Sequence, residues 1–218
     1  KGVRKAGATV LKLGVVPTPL VPLYMILKKA DCGIMITASH NPNDQNGIKL
    51  FSPFHGIKPL PSDDLKLSQL VLRQKYSLIK KKPARGKQKN CRKNSLKLFG
   101  QFTLFPENSW IDDSVNFKNI LVVVDPANGS LTGIAKEIFL QAGFGRVIEV
   151  NGNLNGDVNV FSGVADLEGR DRITFDQLKK TSGIFRRHKA VFKIFELGRK
   201  NKVSLTKGKK RVVGVIFD

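Results

Sequence analysis

The chain has 218 residues, 41% of them hydrophobic, and 38 Lys and Arg against 17 Asp and Glu, for a formal charge of +21. That length suits one large or two ordinary domains with enough apolar residues for a core. No apolar run is long enough to cross a membrane and none reads as a signal peptide, so the charge points to nucleic acid, an anionic surface or a phosphorylated substrate.

Residues 1–6 read as the tail of a helix closed by Gly7, and 8–13 as a short strand. In Gly14 to Pro19, Pro17 and Pro19 frame Thr18 and stiffen the connection, because each proline fixes its own φ and extends the residue before it. A helical apolar pattern follows over 20–29, then a compact buried strand over 33–36. The loop 37–46 leads through the Asn46-Gly47 turn signal into a strand over 48–51. Pro61, with Asp63 and Asp64 in a first turn and leucines at helical spacing, predicts a helix over 61–72. Residues 80–97 are basic and without useful periodicity, and read as a linker or flexible insertion. Cys32 is expected to be a buried strand thiol and Cys91 to lie in that linker; the two form no metal-like pair, and the cytoplasm is the default compartment.

A second unit opens with the apolar strand 120–124, the turn 125–129, a helix over 130–142 ended by Gly143, and a strand over 146–150. Strand, helix, strand in this order predicts a parallel βαβ unit. A Gly- and Asn-rich loop spans 151–163, helical patterns cover 173–181 and 185–197, and a buried strand is expected over 211–217. The fold class is therefore α/β: two mixed or parallel sheets, each layered with helices. The domains are 1–110, with the loop after the 33–36 strand and the basic insertion, and 111–218. Because an apolar strand closes the chain and Lys1 opens it, the chain is expected to be an internal piece of a longer protein.

The chemistry concentrates in Thr37-Ala38-Ser39-His40-Asn41-Pro42, with Lys49 shortly after. Ligands of open α/β sheets bind beyond the carboxyl ends of strands, where this loop stands. A serine hydroxyl becomes a nucleophile when a neighbour takes its proton or an electrophile is delivered to it. Lys49 can neutralise phosphate charge or move a proton, and Thr37, Asn41 and loop amides can hold oxyanions. Asp125 and Asn128 are read as structural, an Asx turn capping the helix from Ser130; His55 and His188 as surface or packing residues; and Asp166, Glu168, Asp171 and Asp176 as a solvated loop.

Thr37 to Pro42 together with Asn46-Gly47-Ile48-Lys49 resembles the phosphoserine loop of the α-D-phosphohexomutases, the phosphoglucomutase/phosphomannomutase superfamily. Gly14 to Pro19 resembles that family's proline loop, Val122 to Gly129 the opening of its second domain, and Gly214 to Asp218 the strand that leads into its metal loop. The resemblance implies that Ser39 carries a phosphoryl group between C1 and C6 of a hexose phosphate through a bisphosphorylated sugar. It implies Lys49 as a proton-transfer or charge-stabilising group and His40 as a substrate-side neighbour. Thr37, Asn41 and Thr18 stand in the substrate-side loops. Mg²⁺ would be held by the Ser39 phosphate and by Asp218, the first carboxylate of the metal loop. The partners implied are hexose phosphate, hexose bisphosphate and the missing domains of the same polypeptide, with no specific nucleic acid and no membrane.

The chain departs from the pattern in three ways. It stops at the first metal-loop aspartate, lacks the amino-terminal Gly-Thr-Ser-Gly-X-Arg segment, and carries a long basic stretch over 73–97. Alone, it is expected not to turn over. The competing functions are a basic nucleic-acid or polyanion-binding module, disfavoured by basic stretches without interleaved aromatics, and a non-catalytic truncated remnant.

Overall fold

A computed structural model of the chain describes residues 2–37, 41, 44–73, 85–105, 107–108, 115–179, 187–200 and 211–217. It forms two compact units, one of residues 1–37 and 48–99, the other of 38–47 and 100–218.

The first unit contains α1 (Gly2–Lys5), β1 (Val10–Lys12), α2 (Leu20–Lys28), β2 (Gly33–Ile36), β3 (Ile48–Phe51), α3 (Pro61–Arg73), β4 (Gln88–Asn90) and the start of α4 (Arg92–Leu104). Among the described residues its strands form two separate pairs, β1 parallel to β4 and β2 antiparallel to β3. Helix α2 buries Leu20, Val21, Tyr24 and Met25, the i, i+1, i+4, i+5 stripe of one helical face. Val21 and Met25 press on Gly33, where a Cβ would crowd both side chains and that of Phe51. Gly33, Met35, Lys49 and Phe51 therefore share the α2-covered face of the β2–β3 pair, and Ile34, Ile36, Ile48 and Leu50 share the other.

Four expectations fail in this unit. Strand β2, expected to be compactly buried, leaves Ile34 and Ile36 exposed, because α2 covers only the face of Gly33 and Met35. Of the supposed linker, 85–97 is structured: β4 pairs with β1, and α4 buries Ser95 and Phe99; residues 80–84 lie outside the described residues. Cys91, expected in a linker, is buried one residue before α4, and burial, then a hydrogen bond with that thiol, raises the Tyr24 hydroxyl above its usual pKa. Cys32, expected to be buried, is exposed just ahead of β2.

The second unit contains β5 (Ile120–Asp125), α5 (Ile134–Gln141), β6 (Arg146–Glu149), α6 (Phe175–Lys179), α7 (Lys189–Lys200) and β7 (Arg211–Ile216). All three strands are parallel in the order β6-β5-β7, which realises the expected βαβ unit. The central strand alternates between two cores. Val122 and Val124 face Ala135, Phe139 and Phe144 on the α5 side, and Val123 faces Ala190, Ile194 and Leu197 on the α7 side. Each of these valines is fully buried, worth about 1.5–3 kcal/mol relative to exposure. Gly214 of β7 lets α7 approach closely, since a Cβ there would run into Ile194.

Strand β7 was expected to be buried, and it is only half so, with Val213 41% exposed. Its single neighbour among the described residues is β5, and an edge strand loses the cover a second neighbour gives. Helix α5 begins at Ile134 and not at Ser130, behind a turn in which Gly133 has φ +73° and its N–H donates to both Glu149 carboxylate oxygens at 3.1 Å.

Candidate functional site

Ser39, His40 and Asp218, the centre of the expected chemistry, lie outside the described residues. The others are placed. In the first unit, Thr18 is half-buried at the entry to α2, and its carbonyl accepts from the Val21 N–H at 3.1 Å. Thr37 is half-buried directly after β2, and Lys49 is half-buried on β3, opposite Met35. The alternation of β3 puts Lys49 on the face of buried Phe51.

In the second unit, exposed Asn41 donates from Nδ2 to Gln45 Oε1 at 2.8 Å. Its backbone carbonyl accepts from Asn159 Nδ2 at 3.4 Å. Asn159 belongs to the 151–163 loop, which is bound to the carboxyl end of β5 by a buried polar knot. Asp125, fully buried, accepts at Oδ1 from the Ala127 N–H at 2.9 Å, and at Oδ2 from Asn151 Nδ2 at 3.0 Å and the Gly163 N–H at 3.4 Å. His188, also fully buried, donates from Nε2 to the Gly163 carbonyl at 2.8 Å.

Asn128 continues the knot: its N–H donates to the Asn151 carbonyl at 2.7 Å, its Nδ2 to the Asp157 carbonyl at 3.0 Å, and its Oδ1 accepts from the Asn153 N–H at 3.1 Å. Gly163, at φ +73°, closes the loop where a Cβ would lie 3.0 Å from Ala127 Cβ and Asn159 Oδ1 and 3.4 Å from the Phe217 carbonyl oxygen. Asn41, Asn159, Gly163 and Phe217 thus follow one another at the carboxyl edge of the second sheet.

The reading of Asp125 and Asn128 as structural agrees with this geometry, but Asp125 makes its Asx turn with Ala127 and binds the 151–163 loop; it does not cap α5. Sequence reasoning missed His188, Asn151 and Asn159 as a group. Their signal was present in the density of Asn in 151–159, a residue type that takes left-handed φ and offers both donor and acceptor. Asn151 and Asn159 have φ of +52° and +63°.

The described residues hold no group of three His, Cys, Asp or Glu able to bind a metal. No described helix is long and apolar enough to cross a membrane.

Comparison with known proteins agrees with the loop motif. Residues 1–77 match the family model described as phosphoglucomutase/phosphomannomutase, alpha/beta/alpha domain I. The chain is 35% identical over 142 residues to a phosphoglucosamine mutase of Ectopseudomonas mendocina, covering 65% of this chain and 30% of that protein. It is 36% identical over 172 residues to a phosphoglucosamine mutase of Xanthobacter autotrophicus, covering 75% and 36%. The fold is similar to that of a phosphoglucomutase/phosphomannomutase family protein from Burkholderia thailandensis, with a TM-score of 0.51 at 21% identity over 72% of this chain and 32% of that one. The chain spans about a third of the length of the curated relatives it matches. The family-model match over residues 1–77 and the likeness to phosphoglucosamine mutases show that the chain is a member of the phosphoglucomutase/phosphomannomutase superfamily, the phosphohexomutases.

Proposed function

We propose that the protein is a phosphohexomutase that moves a phosphoryl group between C1 and C6 of a hexose phosphate, with Ser39 as the carrier. The observation that carries this reading is the family match over 1–77, which contains the whole Thr37 to Lys49 motif. In the proposed cycle the phosphorus–oxygen bond to Ser39 Oγ breaks as one forms to the free sugar hydroxyl, giving a hexose bisphosphate. After the sugar turns over, its other phosphate returns to Ser39 Oγ. Lys49 neutralises phosphate charge or relays the hydroxyl proton, His40 contacts the substrate side, and Thr37, Asn41 and Thr18 orient the loops. Such transfer depends on positioning and charge neutralisation more than on further covalent chemistry.

Mg²⁺ fits the donor types of a serine phosphate and the Asp218 carboxylate, both hard oxygens, and would supply charge neutralisation at the transferring phosphate. We assign residues 1–110 and 111–218 to the family's first and second domains. The polypeptide's further domains would complete the sugar site, so these 218 residues alone are expected to be inactive. The exposed thiol of Cys32 suits a reducing, cytoplasmic setting. Glucosamine phosphate is the first substrate to try, because the relatives above are named phosphoglucosamine mutases. Assayed on glucosamine, glucose and mannose phosphates, the intact protein should convert at least one, and Ser39→Ala should lower kcat by at least about 10³-fold, the scale of losing a covalent nucleophile. Unchanged turnover in that variant would exclude Ser39 as the carrier.

A further inference from the structure

We propose that Asn159 is a positioning residue that ties the main chain at Asn41 to the carboxyl end of β5. Its relevance to catalysis rests on the proposed role of Ser39, two residues before Asn41; the tether itself does not. The anchor is the 151–163 loop, fastened through Asp125 to Asn151 and Gly163, through His188 to Gly163, and through the Asn159 N–H to the Ala127 carbonyl at 3.1 Å. From this frame Asn159 Nδ2 reaches across 118 residues of sequence to the Asn41 carbonyl, inside one compact unit. The main chain of Asn159 sits at φ +63°, a conformation that Asn, Asp and Gly adopt at least cost. The residue thus combines a backbone that the turn requires with a side-chain donor aimed at the other loop. Asn41 passes the restraint on, since its Nδ2 holds Gln45.

The same backbone requirement provides clean variants. Asn159→Asp keeps the left-handed conformation and an oxygen at Oδ1 but loses the donor; Asn159→Gly keeps the conformation and loses the side chain. Amide hydrogen exchange of the intact protein should show peptides spanning 41–47 exchanging about fivefold faster in both variants, the factor that one net hydrogen bond supports. Peptides of β5 should be unchanged. A purely local role would instead accelerate 151–163 and leave 41–47 as in the parent, and that pattern overturns the tether. Loss of the fold in both variants also overturns it, by making Asn159 a determinant of the second unit. If the parent carries no phosphate on Ser39, the mutase reading fails while the exchange result still decides the tether. With phosphate present, the tether predicts that kcat falls in Asn159→Asp while KM stays within about twofold, as expected when only alignment is lost.

Discussion

The two units solve the problem of burying an α/β sheet to different degrees. In the second, the central strand is covered on both faces, with Val122 and Val124 under α5 and Val123 under α7. In the first, α2 covers one face of the β2–β3 pair, while Ile34, Ile36 and Ile48 on the other face are 44%, 66% and 71% exposed. Helix α3 buries none of its residues, and Leu70, Val71 and Leu72 are more than half exposed. A two-stranded pair with one bare face has little independent stability. The lesson is that the second unit holds its own shape through a closed core and a buried polar knot, whereas the first draws less on burial.

That contrast can be broken most severely at Asp125. Asp125→Ala leaves the Ala127 N–H, Asn151 Nδ2 and Gly163 N–H without their acceptor, and at about 1–3 kcal/mol for each of these three unsatisfied donors should cost at least about 3 kcal/mol. Urea unfolding of the intact protein should show a lower midpoint, and a midpoint unchanged from the parent would mean that the knot contributes nothing. A smaller effect comes from the exposed side of the first unit. Leu70→Gln with Leu72→Gln should alter stability by no more than about 0.5 kcal/mol, because these side chains have little burial to lose. A large loss in the same titration would show that a partner covers α3.

The smallest effect concerns Glu196 on the outer side of α7. Lys200 and Lys193 donate to its carboxylate at 2.6 and 2.9 Å, and these hydrogen bonds lower its pKa from 4.5 to about 2. A carboxyl with a depressed folded-state pKa adds stability that is fully present above the ordinary value and is lost as pH falls from about 4.5 to about 2. Glu196→Gln should therefore flatten the acid limb of the pH–stability curve slightly, and leave stability at neutral pH little changed, as expected of a surface pair. A pH–stability curve identical to the parent's between pH 5 and 2 would remove the pair from the account.

Much of this organisation was legible in the residues. The apolar run 120–124, its turn and the following apolar helix announced a parallel strand, because a strand buried on both faces has to be apolar at every position. The short apolar run 33–36 and the Asn46-Gly47 turn signal ahead of 48–51 located the bounds of β2 and β3, though not the exposure of Ile34 and Ile36. Strand β4, Gln88-Lys89-Asn90, was not legible, since all three side chains are exposed and main-chain pairing to β1 alone makes it a strand. Helix α4 was masked by lysines, although Cys91, Ser95 and Phe99 recur at four-residue spacing and are the positions buried. Within the candidate site, Lys49 could be placed on a strand from local pattern alone. The Asp125–Asn151–Gly163–His188 knot could not, because its members are joined by contacts between residues 25 to 38 apart that leave no periodic trace.

The account turns on Ser39, and phosphopeptide mapping of the intact protein addresses it most directly. Incubated with a hexose 1,6-bisphosphate and digested, the protein should yield a single modified peptide heavier by one phosphate, with fragmentation placing the group on Ser39. An unmodified Ser39 peptide after that incubation, or phosphate on another residue in its place, would contradict the assignment of Ser39 as the carrier.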